Sequence, residues 1–123
     1  MINVLIVDDD AMVAELNRRY VAQLSGFHCC GTASTLEKAK EIIFHSGHHI
    51  DLILLDIYMQ KENGLDLLPI LHSEGCKCDV IVNRNGENLL YHFLDGILRN
   101  WITLYGCIHI HCRSGVQPHH RGN

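Results

Sequence analysis

The chain opens with a short apolar run, residues 2–7, that is followed at once by three acids at positions 8–10. A β-branched, almost wholly apolar segment of this length is typical of a strand that is buried on both faces of a parallel sheet. A second run of the same kind, residues 50–56, also ends on an acid, Asp56. The pattern therefore predicts two buried strands that carry carboxylates at their carboxyl ends.

Residues 10–24 repeat apolar positions at helical spacing and predict the first helix. Asp10 can cap the start of this helix, and Gly26 ends it. One apolar stripe predicts the helix face that packs on the sheet. This stripe consists of Met12, Leu16, Tyr20 and Leu24.

Strand-like and helix-like segments alternate as far as residue 82. The other predicted strands are residues 27–33 and 78–82, and the other predicted helices are residues 35–47 and 64–75. Pro69, in the last of these helices, must lie in the first turn or bend the helix. The β-α-β-α-β-α-β order predicts an α/β fold, a doubly wound parallel sheet with helices on both faces.

Length and composition fit one globular domain, with 123 residues of which 47% are hydrophobic and 20% charged. The net charge of −4 gives no indication of a nucleic-acid-binding surface. No run approaches the roughly 20 apolar residues of a membrane span, and the opening run is too short for a signal peptide. We therefore expect a cytoplasmic protein without a membrane segment, in which the six cysteines are reduced thiols.

The acids at the two strand ends predict a binding site. In the strand order 2-1-3-4-5, the first and third strands are neighbours at the point where ligands bind. Asp8, Asp9 and Asp56 would therefore meet in one pocket, where unpaired carboxylates raise one another's pKa. Mg²⁺ prefers such oxygen ligands and would resolve the repulsion, so we predict a magnesium site with Asp10 turned away as the helix cap.

The segments VLIVDDD and LILLDIYMQKENGLDLL resemble the receiver domain of two-component response regulators. The resemblance rests on the acid pair, on Asp56 and on Gly64, eight positions after Asp56. The resemblance covers residues 1–82. Within the family, the sequence is most similar to the transcriptional regulators that respond to citrate and to C4-dicarboxylates such as fumarate. It implies a flavodoxin-like fold and a phosphorelay signalling protein rather than an enzyme.

The resemblance also implies a role for each site residue. Asp56 would be the phosphoacceptor, taking a phosphoryl group from a sensor histidine kinase. Asp9 and Asp56 would bind Mg²⁺ directly, Asp8 would bind it through water, and the backbone carbonyl of Tyr58 would be a further ligand. The metal would offset the charge between the carboxylate and the phosphoryl group. Gln60 stands where many family members have proline.

The resemblance stops abruptly after Val82. The family has a serine or threonine just beyond the fourth strand, where this chain has Asn83 and Arg84. The family also has a lysine after the fifth strand, but no lysine follows Lys77 in this chain. Both the switch Ser/Thr and the switch Lys are therefore absent, and we expect the conformational output of the receiver to be lost.

Residues 1–82 correspond to the N-terminal two-thirds of a receiver domain. Residues 83–123 differ from them in composition. One hypothesis is translation from a shifted reading frame with early termination, which would also explain the missing DNA-binding domain; the alternative is a naturally divergent receiver. Residues 89–105 predict a helix and residues 107–112 a strand. If residues 83–123 come from a shifted frame, we expect the fourth strand to become a sheet edge, which favours low solubility and self-association through that edge.

Two other interpretations stay open. A zinc site is one, and its ligands would be Cys76, Cys78, His109, His111 and Cys112. The other is a haloacid dehalogenase-type phosphatase, because an Asp-x-Asp pair after an apolar strand also fits that class. Asp8 would then be the nucleophile and Asp10 the acid/base.

Overall fold

A computed structural model describes residues 1–83 and the strand at 107–111. The elements are β1 (Ile2–Val7), α1 (Ala11–Gln23), β2 (Phe27–Ala33), α2 (Leu36–His45), β3 (Leu52–Asp56), the 3-10 helix η1 (Gly64–Asp66), α3 (Leu67–Ser73), β4 (Asp79–Asn83) and β5 (Cys107–His111). The predicted alternation of strands and helices is confirmed. None of the helices in this described part is long and apolar enough to cross a membrane.

The strands form one sheet in the order β2-β1-β3-β4-β5. Strands β1 to β4 run parallel to one another, which confirms the predicted flavodoxin-like sheet. β5 pairs with β4 in the antiparallel direction. The prediction that β4 becomes a sheet edge is therefore wrong, because the segment after it supplies a partner strand; β2 and β5 are the edges of the described sheet. The helix predicted at 89–105 lies outside the described residues.

Alternate residues of the central strands build two apolar clusters, one on each face of the sheet. Leu5 and Val7 of β1 belong to the cluster that α2 and α3 cover. Val4 and Ile6 belong to the cluster that α1 covers. Strands that are buried on both faces need this near-continuous apolar sequence. The predicted placement of helices on both faces is confirmed.

The contact face of α1 differs from the predicted stripe. Met12 and Leu16 are 77% and 41% exposed. The buried positions of the helix are Ala14, Asn17 and Val21. A row of residues four apart rotates by about 40° at each step around an α-helix, so the predicted stripe begins in solvent and reaches the sheet only at its end. There Tyr20 and Leu24 pack against the apolar cluster.

The predicted helix starts are confirmed. The carboxylate of Asp10 accepts hydrogen bonds from the backbone N–H groups of Met12 and Val13, at 3.0 and 3.2 Å. The hydroxyl of Thr35 accepts a 3.0 Å hydrogen bond from the N–H of Lys38 at the start of α2. Pro69 is the third residue of α3 and lies in its first turn, where its missing N–H costs no helical hydrogen bond.

Candidate functional site

The carboxyl ends of β1 and β3 bring three carboxylates together. Val7 pairs with Leu55 in the parallel register, so Asp8, Asp9 and Asp56 leave the sheet at the same edge. One ligand oxygen of each side chain lies within 4.8 Å of the other two. Among the described residues, these three acids form the one group of three or more side chains that could together hold a metal ion. The structure thus places together the three acids that the sequence predicted to meet.

These carboxylates lie in an open cleft of about 310 Å³. The cleft is lined by Asp8, Asp9, Asp10, Val13, Asp56, Tyr58 and Gln60. Within the described part of the chain, no lysine or arginine is among these lining residues. The negative charge of the cleft therefore calls for a cation, and hard oxygen ligands at this spacing fit a divalent cation such as Mg²⁺.

Burial, with a smaller contribution from mutual repulsion, raises the pKa of two carboxyl groups in this cluster. Burial is the main cause that raises the pKa of Asp8 to about 6, with smaller contributions from the charges of Asp56 and Asp9. A 2.8 Å hydrogen bond from the N–H of Asp10 opposes this rise. Burial, helped by the charge of Asp9, also raises the pKa of Asp56, against a 3.1 Å hydrogen bond from the N–H of Tyr58.

Gly64 sits directly against the backbone of Asp56. A Cβ atom at this position would lie 2.1 Å from the carbonyl oxygen of Asp56 and 3.1 Å from the Cα of Ile57. The N–H of Gly64 donates a 3.0 Å hydrogen bond to the carbonyl of Ile57. Only glycine allows so close an approach of two backbone segments. The residue therefore holds the loop after β3 onto the strand end that carries Asp56.

Two further contacts fix this loop, and neither was predicted from the sequence. The N–H of Gln60 donates a 2.6 Å hydrogen bond to a carboxylate oxygen of Asp9. The carboxylate of Glu62 accepts a 3.0 Å hydrogen bond from the N–H of Leu36 in the first turn of α2. These partners are 51 and 26 residues apart, so no local pattern marks them. The loop is thus tied to both β1 and α2.

The remaining predicted site residues lie around the same cleft. Tyr58 lines it with a side chain that is 66% exposed. Its backbone carbonyl as a metal ligand stays a prediction. In the sheet register Asp56 is the partner of Asn83, one of the two positions at which the family's serine or threonine was expected. Arg84 lies outside the described residues.

The zinc interpretation stays a prediction. The backbone register pairs His109 with Ile81 and His111 with Asp79. The side chains of these histidines, and Cys112 as a whole, lie outside the part of the chain that the structure describes.

The phosphatase interpretation also lacks support in the geometry. It requires the Asp10 carboxylate to exchange protons with a substrate. That carboxylate instead accepts two backbone hydrogen bonds at the start of α1. An N-cap with this geometry stabilises the helix. Asp10 therefore acts as the helix cap that the sequence predicted.

Comparisons with known proteins identify the family of this chain. The sequence profile of the response regulator receiver domain matches residues 4–89. The transcriptional regulatory protein DcuR of Escherichia coli K12 is 84% identical over 82 residues, which are 67% of this chain and 34% of DcuR. The chain therefore spans about a third of the length of the curated relatives it matches.

Solved structures with the same fold include the MaeR response regulator bound to beryllium trifluoride, with a TM-score of 0.62 and 30% identity over 85% of this chain and 83% of that chain. Another is TrrA of Thermotoga maritima in complex with Mg²⁺ and beryllofluoride, with a TM-score of 0.55 and 29% identity over 65% of this chain and 66% of that one. The chain belongs to the response regulator receiver domain family.

Proposed function

We propose that this chain is the receiver of a cytoplasmic two-component phosphorelay and accepts a phosphoryl group on Asp56 from a sensor histidine kinase. The observation that carries the proposal is the meeting of three carboxylates within 4.8 Å at the ends of β1 and β3. The carboxylate of Asp56 is the nucleophile, and the N–H of Tyr58 holds it in position through a 3.1 Å hydrogen bond. The product is an acyl phosphate, an activated mixed anhydride.

The metal in this proposal is Mg²⁺. Asp9 and Asp56 would bind it directly, Asp8 through water, and the carbonyl of Tyr58 would complete the protein ligands. The fit rests on the donor set, which consists of hard carboxylate oxygen atoms. Burial, with a smaller contribution from the charges of neighbouring acids, raises the pKa of Asp8 and Asp56. When bound, the ion supplies charge neutralisation between the attacking carboxylate and the phosphoryl oxygens.

Relatives support the partner and the biological role. TrrA has been solved in complex with the histidine kinase ThkA, which supports a kinase as the phosphoryl donor. DcuR is a transcriptional regulatory protein, and another relative is a probable C4-dicarboxylate response regulator of Halalkalibacterium halodurans. We therefore infer that this receiver derives from a regulator of dicarboxylate genes.

We also propose that residues 83–123 differ in origin from residues 1–82. The support is chemical: Asn83 and Arg84 stand where the family has a hydroxyl residue, and no lysine follows Lys77. Without these two groups the acyl phosphate forms more slowly, and its formation no longer drives a conformational output. Self-association through a sheet edge stays a prediction, with β2 and β5 as the described edges.

The origin of residues 83–123 is tested by sequencing the coding DNA over codons 75–123 and translating all three frames. A shifted frame is expected to restore a serine or threonine near position 84, a downstream lysine followed by proline, and a helix-turn-helix region. If no frame restores them, these residues are a genuine divergent segment of the receiver.

Phosphoryl transfer is tested with a small acyl-phosphate donor, acetyl phosphate, in the presence of Mg²⁺. Intact mass spectrometry should show one added phosphoryl group that Asp56→Asn abolishes. Asp10→Asn is the matched control, since asparagine caps helices as well as aspartate does and the variant should still be modified. A phosphoryl group located on Asp8, lost in Asp8→Asn and retained in Asp56→Asn, would instead favour the phosphatase interpretation.

A further inference from the structure

The connection between α3 and β4 holds two thiols side by side. The Sγ atoms of Cys76 and Cys78 lie 2.9 Å apart. Gly75 precedes them with a φ of 72°, a left-handed conformation that favours glycine. The N–H of Cys76 donates a 3.0 Å hydrogen bond to the carbonyl of Leu71 in α3. The pair is therefore anchored to a helix on one side and to a central strand on the other.

The two thiols differ in exposure. Cys78 is fully buried in the apolar cluster that also contains Leu71 and Val80. Cys76 is half-buried at the border of this cluster and reaches solvent. A hydrogen bond with Cys78 is the main cause that lowers the pKa of Cys76 to about 7, against the opposing effect of burial. The accessible sulfur is thus the one that ionises near neutral pH, and thiolates are the reactive form of cysteine.

The other described cysteine pair has the opposite properties. Cys29 and Cys30 are consecutive residues of β2, so their side chains point to opposite faces of the sheet. Burial raises the pKa of both thiols. The Sγ of Cys29 donates a 3.4 Å hydrogen bond to the carbonyl of Gly31. This pair serves as an internal reference of half-buried thiols whose pKa is raised rather than lowered.

We propose that Cys76 and Cys78 form a thiol–disulfide exchange site, which low-molecular-weight disulfides such as oxidised glutathione convert to an intramolecular disulfide. A disulfide needs no ligand beyond the two sulfurs. A structural zinc site needs four ligands, and within the described residues these cysteines belong to no group of three or more metal-ligating side chains. The paired sulfurs thus favour oxidation over metal binding.

The exchange proceeds in two balanced steps. The thiolate of Cys76 attacks one sulfur of oxidised glutathione, forms a mixed disulfide and releases one glutathione thiolate. The thiol of Cys78 then loses its proton to solvent and attacks the Cys76 sulfur, which expels the second glutathione as thiolate. One protein dithiol and one glutathione disulfide become one protein disulfide and two reduced glutathione molecules.

The site is remote from the acid cleft. Cys78 immediately precedes β4, whereas Asn83, at the far end of that strand, is the residue that pairs with Asp56. Oxidation at one end of the strand leaves the ligand oxygens at the other end in place. The affinity of the protein for Mg²⁺ should therefore change by less than about twofold on oxidation, so the two proposals fail independently.

Trypsin provides a direct test because Lys77 lies between the two cysteines. The native, reduced protein is incubated with oxidised glutathione. It is then unfolded in urea with iodoacetamide, which blocks every remaining thiol, and digested without reduction. Peptides 62–77 and 78–84 should be joined by a disulfide, and each should carry an alkyl group when the oxidant is omitted. Cys29 and Cys30, which both lie in peptide 20–38, should be alkylated whether or not the oxidant is present.

Variants assign the role of each sulfur. Cys78→Ser should stop at the glutathione adduct of Cys76, and Cys76→Ser should slow adduct formation at least about tenfold, because the accessible thiolate is gone. Cys29→Ser is the matched control and should form the linked peptides at the parental rate. Full alkylation of both peptides after the oxidant treatment of the parent protein, or linkage of Cys76 only to another chain, would overturn the proposal.

Discussion

The backbone N–H of Gln60 donates a 2.6 Å hydrogen bond to the carboxylate of Asp9 and so ties the loop after β3 to the end of β1. The same carboxylate is a proposed ligand of Mg²⁺. A carboxylate oxygen that accepts a short hydrogen bond is less available to a cation. The loop and the metal therefore compete for Asp9.

Replacement of Gln60 by proline should tighten Mg²⁺ binding. Proline has no N–H, so Gln60→Pro frees the Asp9 oxygen, and many receivers carry proline at this position. Since a hydrogen bond to a charged group contributes about 1.5 kcal/mol or more, we expect the dissociation constant to fall by about tenfold or more. Calorimetric titration measures it. Gln60→Ala keeps the N–H and should bind like the parent; weaker binding by the proline variant would show that the hydrogen bond orients Asp9 for the metal.

The stability of the metal-free protein should fall as the pH rises through the range in which Asp8 titrates. The pKa of Asp8 is about 6 in the folded chain, compared with 3.8 for an ordinary aspartate. The folded state therefore binds this proton more tightly than the unfolded state does. Its contribution to stability is complete below pH 3.8 and is lost as the pH rises through about 6.

Melting temperatures between pH 4.5 and 7, in buffer with a chelator, at roughly half-unit steps, measure this effect. The Asp8→Asn variant has no carboxyl group to ionise at this position. Its melting temperature should therefore decrease less than that of the parent protein as the pH rises. Asp10→Asn, which preserves the helix cap, should keep the parental slope and controls for nearby substitutions. Equal slopes in the parent and in Asp8→Asn would assign the pH dependence to other groups.

Gly64→Ala should destabilise the fold strongly. The added Cβ would lie 2.1 Å from the carbonyl oxygen of Asp56, and backbone atoms cannot yield as a flexible side chain can. We expect a loss of at least about 2 kcal/mol in the free energy of unfolding, measured by urea denaturation.

Gly31→Ala is the matched control for the added methyl group. Its Cβ would meet only the Cδ1 atom of Ile42, at 3.6 Å, an ordinary contact. We expect its free energy of unfolding to stay within about 1 kcal/mol of the parent value. Similar losses in both variants would mean that the approach of Gly64 to Asp56 carries no special cost.

The corrected contact face of α1 makes its own prediction. Val21 lies on the buried face of α1 and is fully buried, whereas Leu16 is 41% exposed. Val21→Ala should cost about 2 kcal/mol of unfolding free energy through lost burial and a cavity. Leu16→Ala should change it by less than about 0.5 kcal/mol. If Leu16→Ala costs more unfolding free energy than Val21→Ala in the same urea series, the stripe predicted from the sequence is the contact face of α1.

The elements and their sheet order were predictable because their signals are local. Apolar runs that end on an acid, as at Val7 and Asp56, mark parallel strands without knowledge of their neighbours. Asp10 and Thr35 mark helix starts by the chemistry of a single side chain. The direction of β5 was not predictable, since an alternating segment can join a sheet edge in either direction.

The sequence by itself determined that three acids would meet, because the ends of neighbouring parallel strands share one edge of the sheet. Only the tertiary structure decided that α1 rests on Ala14 and Val21, since the rotation of a helix on a sheet depends on how both surfaces interlock. The contact between Gln60 and Asp9 was likewise decided by packing. It joins residues 51 positions apart, and no periodicity in the chain encodes such a distance.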